Sequence, residues 1–160
     1  MKTAMTCRAS VLSLALLITA CVAAVDEFAE TPAGYVPDIE DRVTAIDWRQ
    51  AEIVTVLLKE YAFSTVPLRF ATGKPYRLIL NNEGETTHFF VSEEFFRAIA
   101  ARRLETSEGV VAAPRLASIV VRPGSTKVLE FVPVESGKYQ LECTAPLHAV
   151  FGMVGTIEVR

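Results

Sequence analysis

Lys138-Tyr-Gln-Leu-Glu-Cys143 runs through Thr-Ala-Pro-Leu-His148 and Ala-Val-Phe-Gly-Met153 before the chain closes on Val154–Val159. Its first six residues alternate. Tyr139, Leu141 and Cys143 share one face of an extended chain, and Lys138, Gln140 and Glu142 share the other. The pattern predicts a half-buried strand that delivers the Cys143 sulfur to the core side. Val154–Val159 predicts a further strand, so packed strands hold both ends of the intervening loop. Pro146 stiffens the first half of that loop, and Gly152 and Gly155 permit sharp turns around Met153.

Upstream, the same short-strand signature recurs. Ile53–Tyr61 is β-branched and aliphatic, and Val66-Pro-Leu-Arg-Phe70 reaches a turn at Gly73-Lys-Pro75 before Tyr76-Arg-Leu-Ile-Leu80. Asn81-Asn-Glu-Gly84 is a turn that leads into His88-Phe-Phe90. Ser118–Val121, the turn Arg122-Pro-Gly-Ser125 and Lys127–Pro133 predict a hairpin-type pair. One segment differs. Ser92 to Leu104 has a cap residue, acids in its first turn and arginines in its last, with Phe95/Ile99 and Phe96/Ala100/Leu104 at helical spacing. It predicts one amphipathic helix near 92–104 inserted into an all-β sandwich, with Arg97, Arg102 and Arg103 on a solvated face. No internal repeat is visible.

The chain has 160 residues, 51% of them hydrophobic, enough for one ordinary domain with a real core. Its formal charge is −3, without the basic excess a nucleic-acid binder needs. Lys2 and Arg8 precede the apolar run Val11–Ala20 and a small-residue exit, the shape of a secretory signal peptide over residues 1–24. The run is short for a membrane span. Two processing points are open: after Ala24, or before Cys21, where Ile18-Thr-Ala-Cys21 reads as a bacterial lipobox with Cys21 lipidated. Residues 25–47 follow as an acidic flexible spacer, with seven acids between Asp26 and Asp47 against Arg42 alone. Trp48 to Arg160 is then a nearly neutral folded domain.

Export removes Met1, Met5 and Cys7, and removes or lipidates Cys21. The mature domain keeps one thiol, Cys143, and one thioether, Met153. A single cysteine closes no intramolecular disulfide, and a free thiol is a liability in an oxidising compartment. Cys143 is therefore expected to be occupied. Taken singly, a buried Cys is a small hydrophobe, a loop Met fills a gap and a His caps a turn. Together, the two histidines, His88 and His148, with Cys143 and Met153 fall on one strand and one loop. A thiolate, two imidazoles and a weak thioether make the donor set of a trigonal blue-copper site. Zinc accepts the same thiolate and imidazoles, but a Met in fourth place is unusual for structural zinc. A binuclear centre needs a second loop cysteine, and the loop has one.

Here the sequence resembles the cupredoxin family of plastocyanin-, azurin- and rusticyanin-like copper proteins, over roughly residues 53–160. The motifs are Phe63-x-x-Val-Pro67, Gly73-Lys-Pro-Tyr76, Asn82 with His88, Pro123-Gly124, Gly137-Lys-Tyr139 and the C-terminal loop. The spacing C-x4-H-x4-M is similar to rusticyanin and auracyanin rather than plastocyanin. The resemblance implies a Greek-key β-sandwich, with His88, Cys143, His148 and Met153 holding one copper ion per chain. Many relatives carry Asn or Ser directly after the first His ligand, where this chain has Phe89, so the support of the thiolate comes from elsewhere or the site is tuned differently.

No nucleophile–base pair or carboxylate dyad stands out, and an enzyme is not expected. The leading reading is a monomeric electron carrier of the bacterial cell envelope, in the periplasm or anchored by lipid, exchanging electrons with a cytochrome or oxidase. Pro146, Leu147, Ala149, Val150 and Phe151 surround His148 with apolar side chains, which in this family is where partners dock. The alternatives are a copper chaperone or sequestering protein, and a cupredoxin module of a metal-uptake assembly.

Overall fold

The computed structural model describes residues 28–29 and 34–160. The expected signal peptide and Cys21 lie outside the described residues. In chain order the strands are β1 (Phe28–Ala29), β2 (Glu52–Lys59), β3 (Ala62–Phe63), β4 (Leu68–Phe70), β5 (Tyr76–Asn82), β6 (His88–Val91), β7 (Ile99–Thr106), β8 (Gly109–Ala112), β9 (Ser118–Val121), β10 (Thr126–Pro133), β11 (Gly137–Glu142) and β12 (Val154–Val159). Two short helices, α1 (Ile39–Thr44) and α2 (Glu93–Arg97), are added to them. The strands form two six-stranded sheets, β1-β9-β6-β11-β12-β4 and β3-β2-β5-β10-β7-β8. The fold is the all-β, cupredoxin-like sandwich that the alternation and the resemblance predict.

Inward residues alternate along the strands, as a sheet with one buried face requires. On β5, Tyr76, Leu78, Leu80 and Asn82 point in. On β6 they are His88 and Phe90, and at the end of β11 Leu141 with Cys143 beyond it. The apolar ends of these strands pack around Phe70, Tyr76, Phe95 and Phe131, whose ring centroids lie 4.8–5.7 Å apart. Each such aromatic pair contributes about 0.5–1.5 kcal/mol beyond its buried area. The opposite end of the sandwich is where Asn82, His88 and Cys143 meet.

The predicted helix over 92–104 stops at Arg97, and Ile99–Thr106 is strand β7 between β10 and β8. Helical spacing of apolar residues is a weak signal where both faces are buried, and Ile99, Ala100 and Ala101 are buried in succession. Cross-strand pairing decides the outcome. Ser92 does not cap α2: its hydroxyl donates to the Gln140 carbonyl at 2.5 Å. Nor do Arg102 and Arg103 form a free solvated face. A β-bulge at Glu130/Phe131 leaves Arg102 without its own partner in the register, and a bulge turns two successive side chains to one side. Both guanidiniums reach the buried Glu130 carboxylate, at 2.6 Å and 2.9 Å, where Arg77 joins them at 3.2 Å. Arg102 also lies over the Trp48 ring.

Two further expectations change. Ser118–Val121 and Lys127–Pro133 are not hairpin partners. The Arg122–Ser125 turn carries the chain from β9 in one sheet to β10 in the other. The residues expected to form a flexible spacer are, from Gly34 on, folded against the domain. Val36 and Ile39 are buried, Tyr35 donates to the Leu116 carbonyl at 2.6 Å, and Val36 N–H bonds the Arg97 carbonyl. The acids count toward solvation, but Tyr35, Val36 and Ile39 supply enough apolar surface to dock this stretch.

Candidate metal centre

Asn82 organises one half of the site. Its side-chain amide donates to the Thr86 and Val121 carbonyls, both at 2.8 Å, while its Oδ1 accepts from Gly84 N–H at 2.9 Å. The buried end of β5 thus fastens the turn that leads into β6, and His88 emerges from it facing inward. Phe89, the next residue, faces the other way, but its backbone N–H donates to Cys143 Sγ at 3.4 Å. At this position the donor to the sulfur is thus main chain, beside a side chain that offers none.

The loop from Cys143 to Met153 organises the other half. Cys143 N–H donates to the Met153 carbonyl, Met153 N–H to the His148 carbonyl and His148 N–H to the Ala145 carbonyl, at 2.9–3.0 Å. Phe151 and Gly152 close the turn onto Leu147 and Ala149. Gly152 sits at φ +105°, a conformation open to glycine and strained for other residues. Gly155 serves differently from the turn role expected of it: it lies within β12, and a Cβ there would come 2.5 Å from the Val66 side chain. The loop is thus closed by its own backbone.

These two halves bring His88, Cys143 and His148 together, with donor atoms within 4.8 Å of one another. Cys143 Sγ lies 3.9 Å from His88 Nδ1 and 3.7 Å from His148 Nδ1. A trigonal ion with metal–nitrogen and metal–sulfur bonds of about 2.1 and 2.3 Å needs donors about 3.8 Å apart. The donor set and its spacing fit one copper ion. His88, Cys143 and Met153 are fully buried and His148 is 6% exposed. Burial pushes the His88 imidazole below its ordinary pKa, the neighbouring His148 adds to this, and Glu60 opposes it. A neutral imidazole is the form that binds metal. Met153 ends the loop immediately before β12.

His148 lies beneath an apolar surface. Leu147, Val150 (79% exposed) and Phe151 are exposed around it with Pro146, Ala149 is half-buried, and Ala145 is buried. Two residues that sequence reasoning missed complete the surroundings. Tyr61 packs edge-on against both His148 and Phe151, with centroids 5.1 Å away in each case. Glu60 lies 3.9 Å from the far nitrogen of His88. Both sit in the turn between β2 and β3, in the other sheet, where no local pattern marks them.

A sequence model of the family described as copper binding proteins, plastocyanin/azurin family, matches residues 57–160. No curated protein matches the sequence. Among solved structures, the chain is similar to a copper-containing nitrite reductase from Thermus scotoductus SA-01, at 15% identity and a TM-score of 0.54, over 68% of this chain and 31% of that one. It is similar to a variant of the McoA multicopper oxidase from Aquifex aeolicus at 18% identity and a TM-score of 0.54, over 72% and 30%. The reduced auracyanin of Roseiflexus castenholzii aligns over 69% of this chain and 98% of its own, at 17% identity and a TM-score of 0.46. At these identities the likeness is one of fold. The chain spans under a third of the length of the first two.

Proposed function

Because the chain belongs to the plastocyanin/azurin family of copper-binding proteins, we propose that it is an exported mononuclear blue-copper protein that carries electrons in the bacterial cell envelope. In this reading His88, Cys143 and His148 would supply three strong donors and Met153 a weak thioether. Copper held there supplies a one-electron couple between Cu(I) and Cu(II).

The chain's own residues do the rest. His88 and His148 each offer an Nδ1 atom within 4 Å of the Cys143 sulfur. Phe89 N–H stabilises thiolate character at that sulfur. The observation that carries the reading is that three buried donors converge while backbone hydrogen bonds, not the metal, close the loop that holds two of them. A frame fixed in this way changes little between oxidation states, and that favours fast electron exchange. Pro146, Leu147, Ala149, Val150 and Phe151 then keep water from His148 and offer an apolar docking face to a redox partner such as a cytochrome or oxidase. The signal peptide over 1–24 directs export, with Cys21 as the lipid anchor if processing falls before it. The protein acts as a carrier and not as an enzyme.

Voltammetry with a Cu(I) chelator present tests the role. A reversible one-electron couple, with copper retained in the reduced state, is the expected result. Rapid loss of Cu(I) to the chelator would replace the carrier with a copper-handling protein.

A further inference from the structure

The turn between β2 and β3 reaches across to the edge of the other sheet. Glu60 Oε1 accepts hydrogen bonds from Glu85 N–H at 2.7 Å and Thr86 N–H at 3.1 Å, and from the Thr86 hydroxyl at 3.4 Å. Residues 84–86 form the turn that feeds His88. His88 presents Nδ1 to Cys143, and its Nε2 is buried without a hydrogen-bond partner among the described residues. The nearest charge to that nitrogen is Glu60 Oε1, at 3.9 Å.

Gly84 makes the approach feasible. A Cβ there would lie 2.6 and 2.8 Å from the two Glu60 oxygens and 2.7 Å from His88 Nε2. Any side chain would wedge the carboxylate and the imidazole apart. At 3.9 Å the two are in electrostatic contact, beyond hydrogen-bond range. Closing about 1 Å would make the bond, and polar contacts around a site commonly tighten once it is occupied. The Glu60 side chain is more than a third exposed, which leaves room for the carboxylate and the turn it braces to shift together.

We propose that Glu60 is the positioning residue of the metal centre: its carboxylate takes the Nε2–H of His88, fixes Nδ1 as the donor atom, and places a negative charge one imidazole away from the metal. A metal-bound imidazole whose other nitrogen is held by a carboxylate is better oriented and more basic. The added charge favours Cu(II) over Cu(I). This rests on the copper reading above, but it assigns a role to a residue outside the ligand set.

The test uses the full chain with three substitutions. Glu60→Gln keeps an oxygen acceptor for the turn and for His88 and removes only the charge. It should retain bound copper and colour, and raise the reduction potential. Glu60→Ala should weaken copper binding by about 10- to 100-fold, the usual cost of losing such a partner. In the metal-free protein, long-range 1H–15N spectra should show His88 as the Nε2–H tautomer in wild type and in Glu60→Gln, and lose that bias in Glu60→Ala. Gly84→Ala should shift the potential in the same direction as Glu60→Gln. A role limited to bracing the 84–86 turn would lower the melting temperature and leave both potential and tautomer unmoved, and that result overturns the proposal. Wild type that binds no copper would sink the copper reading instead, while the tautomer comparison would still decide whether Glu60 holds His88.

Discussion

Two pieces of chain meet at the metal centre, and they are built in opposite ways. The loop from Cys143 to Met153 places two strong donors and the axial candidate within one stretch of sequence, and closes itself by backbone bonds from Cys143, His148 and Met153. The turn at Glu60 and Tyr61 supplies no donor, yet it touches both imidazoles from the opposite sheet, Glu60 at His88 and Tyr61 at His148. Two of the three strong donors are therefore local in sequence, while donor environment is tertiary. Loss of a strong donor in the loop should remove the site, and substitutions in the turn should retune or weaken it.

The largest effect is expected at Cys143. Cys143→Ser removes the only described sulfur able to bond strongly, so it should abolish the thiolate-to-copper absorption while far-ultraviolet circular dichroism stays that of the sandwich. A Cys143→Ser protein that keeps the intense band would break the comparison at once.

Met153 comes next. Met153→Leu should keep copper and colour while raising the reduction potential, because a weak donor to Cu(II) is lost. Met153→Gln should lower it, because an amide oxygen is a harder donor. Voltammetry decides between these and a residue that merely packs. If neither swap moves the potential, Met153 is not the axial donor. If either abolishes binding, the site is not of the trigonal kind.

Gly152→Ala sharpens the claim that the loop is closed without metal. At φ +105° a Cβ is strained, and the metal-free protein should lose about 1–3 kcal/mol of stability in a denaturant melt. The smallest effect belongs to the turn. Tyr61→Ala removes edge-on contacts to His148 and Phe151 on a half-exposed ring and should cost about 0.5–1 kcal/mol, with copper and colour retained. Loss of copper on Tyr61→Ala would mean that the turn holds the site instead of tuning it.

The same local-versus-tertiary divide explains what the sequence disclosed. Period-two alternation put Cys143 on the core side of β11, and it is fully buried there. The rarity of His, Cys and Met made their convergence on one loop and one strand legible. The boundary between α2 and β7 was not legible, because Phe95, Phe96, Ile99, Ala100 and Leu104 satisfy both a helical stripe and a buried strand. Pairing with Val132 and Pro133 on β10 settles it. The crossing from β9 to β10 was hidden because a Pro-Gly turn looks the same whether its flanking strands pair or part into two sheets. Glu60 was hidden because it precedes His88 by 28 positions and carries no motif. Its meaning comes from Gly84, which leaves room for it beside the imidazole.

Adding Cu(II) to the purified metal-free protein and recording the visible spectrum tests the central claim most directly, that His88, Cys143 and His148 are held ready for one copper. The account predicts saturation at one equivalent with an intense thiolate-to-copper band. A protein that stays colourless, or binds copper weakly and without a defined endpoint, would contradict it.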